Sequence, residues 1–243
     1  MKKLLLILSL LTTYTYADSH CPTFYIDKTP PISTKSYEEM CFSEYVVGYD
    51  QTKLLSGYSV EVITAASVKQ SNGTIRINSF HANKVLSKDK RVKLKDYLNS
   101  GYDKGHLTPF GDMVSKQAQY ESFDLVNMVP QNKVNNEQLW KRLEMNVRQL
   151  ATDNGTVYIV TGPVIDGSSK MLNGRIPIPK YMYKAIYIPS TKVATVFLAD
   201  NDDSWNYKYI SVNQLKTLTG IDVFPTLTAI QKNSAIALFT IKR

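Results

Sequence analysis

Cysteine, histidine and tryptophan are scarce, with two, three and two in 243 residues. The two cysteines, Cys21 and Cys41, form no Cys-x-x-Cys pair, which argues against a metal-ligand pair or a catalytic thiol. The three histidines are His20, His81 and His106, so few side chains are suited to proton transfer near neutral pH. Beyond the first eleven residues no apolar run approaches membrane-spanning length. Internal repeats, low-complexity tracts, zinc-finger spacing and helix-turn-helix patterns are absent, which removes the common modules that read base sequence.

The clearest feature present is at the N-terminus. Lys2 and Lys3 precede an apolar run from Leu4 to Leu11 interrupted only by Ser9, and Thr15 and Ala17 supply small residues for cleavage. This pattern is a secretory leader, and its run is too short to span a bilayer. The expected organisation is a leader over residues 1–17 and one domain over residues 18–243, secreted or periplasmic after cleavage near Ala17, with no stable membrane anchor. In an exported chain the Cys21 and Cys41 pair reads as one disulfide, closing a loop that contains Thr29, Pro30, Pro31 and Ile32. Losing Lys2 and Lys3 lowers the formal charge from +8 to about +6. That balance favours polyanionic partners.

Apolar residues make up 43% of the chain and charged residues 21%, enough for a sizeable core. Residues 18–56 read as irregular and wrapped around the domain. Tyr58 to Thr64 alternates as a strand, Ser71-Asn72-Gly73 is a turn, and Thr74 to Phe80 reads as a second strand. A short helix is expected near Leu94 to Leu98. Leu139, Leu143, Val147 and Leu150 recur at helical spacing, and Asp153-Asn154-Gly155 ends that helix. Val157 to Thr161 is a buried-type strand. Tyr183 to Ile188 and Lys192 to Ala199 form a hairpin, followed by a helix from Ser211 to Leu218 that stops at Gly220. Strand hairpins and helices without a βαβ rhythm predict an α+β fold with a largely antiparallel sheet flanked by helices.

Of the histidines, His106 has the most telling neighbours. Asp103-Lys104-Gly105-His106 resembles the Asp-Arg-Gly-His motif of the DNA/RNA non-specific endonuclease family, which belongs to the ββα-metal (His-Me finger) nucleases. Asn127-Met128-Val129-Pro130-Gln131 is similar to the family's Asn-x-x-Pro-Gln. Asn136, Trp140 and Glu144 match its Asn-x-x-x-Trp-x-x-x-Glu helix, and Arg76-Ile77-Asn78-Ser79-Phe80 its Arg-x-x-x-Phe segment. Thr161-Gly162-Pro163 and Thr219 to Pro225 also look like family segments. The resemblance covers roughly residues 40–230 in the family's order.

The resemblance implies a ββα-metal fold and hydrolysis of DNA and RNA with little sequence preference. It makes His106 the general base, with the backbone near Asn127 orienting its ring. It makes Asn136 the ligand of magnesium, for which manganese could substitute because both accept oxygen donors. Arg76 would contact the scissile phosphate, and Glu144 would reach the metal through water. On a helix Glu144 stands about 80° and ~12 Å from Asn136, too far for both to ligate one ion directly. Asp103 is expected to orient a neighbouring group or help bind the metal's waters, and both Lys104 and Asp103 are expected on the substrate-binding side of the site. Lys104 departs from the family's arginine: the charge is kept and bidentate geometry is lost. The alternative reading is therefore a nucleic-acid-binding protein on the same fold with impaired catalysis. Lysines between Lys84 and Lys95 could follow a phosphate backbone. Oligomeric state is not legible.

Overall fold

A computed structural model describes residues 19–243; the leader expected over residues 1–17 lies outside them. Seven strands form one antiparallel sheet, in the spatial order Tyr207–Ile210, Val193–Asp200, Tyr181–Ile188, Thr156–Val164, Leu55–Thr64, Tyr45–Asp50 and Glu38–Cys41. The architecture is α+β, as the pattern of strands and helices predicts. On one face Ile63, Ile159, Met182, Ile186 and Phe197 pack against Leu143, Val147 and Ala151 of the Lys141–Asn154 helix. Each buried Leu or Val side chain there contributes about 1.5–3 kcal/mol. On the other face Val60, Val160, Ala185 and Val196 meet Val212 and Leu215 of the Val212–Thr219 helix. That helix starts at Ser211, whose side chain accepts from Gln214 N–H, and stops at Gly220 with φ of 78°.

Two local expectations are corrected, and one helix is added. Residues 18–56 are not an irregular wrap, because they supply the Glu38–Cys41 and Tyr45–Asp50 strands. Tyr45 to Tyr49 is buried on both faces, so it lacks the alternation that reveals a half-exposed strand. Thr74 to Phe80 has strand composition but joins no ladder, and Ile75 and Ile77 are exposed. The helix Ala65–Ser71, capped by Thr64, was hidden by its short length. Cys21 and Cys41 are bonded, with Cα atoms 6.0 Å apart, which ties the first described residues to the outer strand.

The segment from residue 65 to residue 155 leaves the sheet after Leu55–Thr64 and returns at Thr156–Val164, the strand beside it. Inside this excursion Asp103–His106 pairs antiparallel with Met128–Gln131, and the Lys141–Asn154 helix follows. Two strands and a helix thus stand on the sheet as a unit, and every residue singled out for chemistry belongs to this segment.

Candidate active site

The Asp103–His106 strand brings both of its end residues to one cleft. Between them Gly105 lies against Gln131 of the paired strand; a Cβ at position 105 would come within 2.0 Å of the Gln131 side chain. Gly105 is therefore required by close packing. Gln131 in turn donates to Asn135 at 2.6 Å, which fixes the start of the helical segment.

Asn132 accepts from the N–H groups of Val134 and Asn135 and so caps the helix. Asn136 is thereby released from capping. Its Nδ2 donates to Asp103 Oδ2 at 2.9 Å, which turns Oδ1 away as a free acceptor. A π-helical turn over Asn135–Trp140 leads into the Lys141–Asn154 helix. Trp140 is buried, whereas Asn136 and Glu144 open onto the cleft.

The cleft has a volume of about 850 Å³ and is lined by Arg76, Phe80, Asp103, Lys104, His106, Asn136, Glu144 and Arg148, among others. The structure thus gathers all but one of the site residues expected from sequence. The exception is Asn127, which is fully buried behind the wall. Its Oδ1 accepts from Thr108 N–H at 3.0 Å and its Nδ2 donates to the carbonyls of Thr108 and Ser122. Its carbonyl accepts from Leu107 N–H at 2.9 Å. Asn127 holds the chain just after His106, and no hydrogen bond runs from it to the imidazole. The ring is instead fixed by Phe123, edge-on at 5.0 Å, and by Phe80 at 5.8 Å.

His106 is only 8% exposed, and its Nε2 is enclosed without a hydrogen-bond partner. Burial lowers its pKa from 6.5 to about 3, with the charge of Arg76 adding to the effect. The imidazole is therefore neutral across the physiological range. Arg76 stacks its guanidinium over Phe123 at 5.2 Å and donates from Nε to Asn78 at 2.8 Å. Lys104 lies over the rings of Phe80 and Tyr97 at 4.8 and 5.7 Å. Burial raises Glu144 from 4.5 to about 7, opposed by Lys184 and Arg148.

Sequence reasoning missed Arg148, which lines the cleft and pairs with the buried Asp112 at 2.7 Å. Its signal was the next step of four along the series 136, 140, 144. It also missed Glu61 and Lys184, buried inside the sheet with Nζ 3.8 Å from Oε1. Lys184 donates to Thr161 at 2.6 Å. Neither carboxylate oxygen of Glu61 accepts a hydrogen bond, and burial pushes its pKa well above the usual carboxylate range. A charged residue within an apolar strand was the available clue.

An oxygen-preferring divalent cation suits the donors gathered here: an amide oxygen with its nitrogen held by a carboxylate, and a second carboxylate along the same helix face. Residues 26–229 match the sequence profile of the DNA/RNA non-specific endonuclease family. The chain is 30% identical over 209 residues to nuclease C1 of Cunninghamella echinulata var. echinulata, covering 80% of each protein. It is 27% identical over 212 residues to a nuclease of Nostoc sp., covering 80% of this chain and 76% of that one. A chain in the crystal structure of the EndoG/EndoGI complex superposes with a TM-score of 0.76 at 22% identity, over 89% of this chain and 96% of the other; at that identity the likeness concerns the fold.

Proposed function

Since the chain belongs to the DNA/RNA non-specific endonuclease family, we propose that it is an exported, divalent-metal-dependent nuclease that hydrolyses phosphodiester bonds of both DNA and RNA, with His106 as the general base. The observation that carries this reading is the cleft itself: a neutral imidazole, an oriented Asn136 amide, Glu144 and Arg76 all face one volume.

His106 accepts the proton of the attacking water, and its depressed pKa keeps it ready to do so. Arg76 meets the phosphate and offsets the charge that develops there, and its charge adds to burial in keeping the imidazole unprotonated beforehand. Asn136 Oδ1 would hold magnesium, or manganese in its stead, and Asp103 keeps that oxygen turned outward. Glu144 in its ionised form would help hold the metal through water. Such a metal, when bound, would supply Lewis acidity at the phosphate and at the leaving oxygen. Lys104 offers one point charge to substrate from its aromatic seat. All these contacts address phosphate, and weak sequence preference follows from that.

The test is cleavage of circular plasmid DNA and of a structured RNA by the chain from residue 18. It is run with magnesium, with chelator, and with His106→Ala beside the wild type. Metal-dependent loss of both substrates is expected, with the variant slower by about 10²–10⁴-fold and still bound to DNA. A folded wild type that binds but never cleaves, under magnesium or manganese, overturns the reading in favour of a binding protein.

A further inference from the structure

Arg76 sits on a segment with little support of its own. Residues 75–80 make no backbone–backbone hydrogen bond and belong to no strand or helix. The segment is nevertheless anchored at its C-terminal foot, and the anchor is His81. Its N–H donates to the Phe123 carbonyl at 3.2 Å, and its own carbonyl accepts from Leu125 N–H at 2.9 Å. The side chain adds three contacts. Nδ1 donates to the Ser79 carbonyl at 2.7 Å, which ties the foot of the segment back on itself. The ring lies flat on Tyr120, with centroids 4.3 Å apart and planes 8° from parallel. Nε2 is 3.8 Å from Oδ2 of Asp124.

Asp124 belongs to the same assembly. It is buried, accepts from Asn83 at 2.8 Å and from Val126 N–H at 3.0 Å, and caps the short turn that ends at Asn127. The element that fixes the chain beside His106 and the element that carries Arg76 are therefore joined at one imidazole. Phe123, whose carbonyl His81 grips, is also the ring on which Arg76 stacks and against which His106 packs.

We propose that His81 is a positioning residue for the nuclease reaction: by clamping the foot of the segment 74–80 to Phe123–Leu125 it sets where Arg76 stands relative to His106. This rests on the phosphate-contacting role given above to Arg76. His81 touches neither substrate nor metal; it acts through Arg76.

The experiment is a double-mutant cycle on plasmid cleavage. His81→Phe keeps a flat ring for Tyr120 and loses the Nδ1 bond; His81→Asn keeps a donor close to the place of Nδ1. Displacement of a contacting group by a fraction of an ångström is expected to lower kcat/KM about tenfold in His81→Phe, and less than about threefold in His81→Asn. In an Arg76→Ala background His81→Phe is expected to cost less than about twofold, since the group it positions is gone. Trypsin gives a readout that needs no catalysis: the bond after Arg76 should be cut faster in His81→Phe than in the wild type, at unchanged melting temperature. Full additivity in the cycle, or unaltered nicking after Arg76, overturns the proposal. If His81→Phe does not fold, His81→Leu, which also lacks the Nδ1 donor, takes its place in the cycle and in the tryptic comparison. Cleavage indifferent to Arg76→Ala refutes the role of Arg76 and the positioning role with it, whereas loss of all wild-type cleavage strikes the functional reading alone, and the tryptic comparison still decides the clamp.

Discussion

His106 and Glu144 face the same cleft with proton affinities displaced in opposite directions, to about 3 and about 7. Both displacements come first from burial, which penalises whichever form is charged. The imidazole must be neutral to act and is so far below pH 6.5; the carboxyl must be ionised and becomes so only as pH rises through its own pKa. On the proposed mechanism, the loss of activity expected on acidification therefore belongs to Glu144. A divalent cation favours the carboxylate, so the acid limb should move to lower pH as magnesium is raised. Initial rates against pH at two magnesium concentrations test this. A limb fixed near 6.5 and indifferent to metal would assign it to an imidazole of ordinary affinity. The identity of both residues was legible in the sequence, because the spacing from Asp103 to Glu144 survives as a motif. The reason for the acid limb was not, since it lies in burial. The burial of His106 is set in part by Phe80 and Phe123 closing over the ring, a contact that spacing along the chain does not show.

Between elements, the sheet and the helix that carries Glu144 meet across a buried charged row. Glu61 on the Leu55–Thr64 strand and Lys184 on the Tyr181–Ile188 strand are each 1% exposed. Glu61 has its folded pKa raised above the unfolded value of 4.5. Its contribution to stability is therefore whole below pH 4.5 and is lost as pH rises towards the folded value. Glu61→Gln carries no such dependence. It should match the wild type near pH 4 and be the more stable of the two at pH 7, read from urea unfolding at both values. Equal stability at the two pH values would mean that Glu61 is ionised beside Lys184 after all. Elements were less legible than the site. The Tyr45–Asp50 strand was passed over because a strand buried on both faces shows no alternation. Thr74 to Phe80 was read as a strand from β-branched composition, but no neighbouring chain is present to pair with it. The hairpin Tyr181–Ile188 with Val193–Asp200 and the capped Val212–Thr219 helix were legible because their turn and cap residues signal locally.

For the molecule as a whole, the one disulfide acts on the unfolded chain. It joins Cys21 to Cys41, and opening a loop of that size should cost about 3 kcal/mol. Cys41→Ser is expected to unfold at lower urea with its cleavage per folded molecule unchanged, because the bond lies on the outer strand and the cleft draws no residue from it. Unchanged stability would show that the covalent tie contributes nothing to the fold. The order of the strands has a consequence of another kind, in time. Ser59 pairs with Thr161, about a hundred residues later, and everything the cleft needs is made between those two strands. Long-range pairing of this kind is intrinsically slow. A chain still folding holds the motif residues and no cleft, so cleaving power should emerge late, when the centre of the sheet closes.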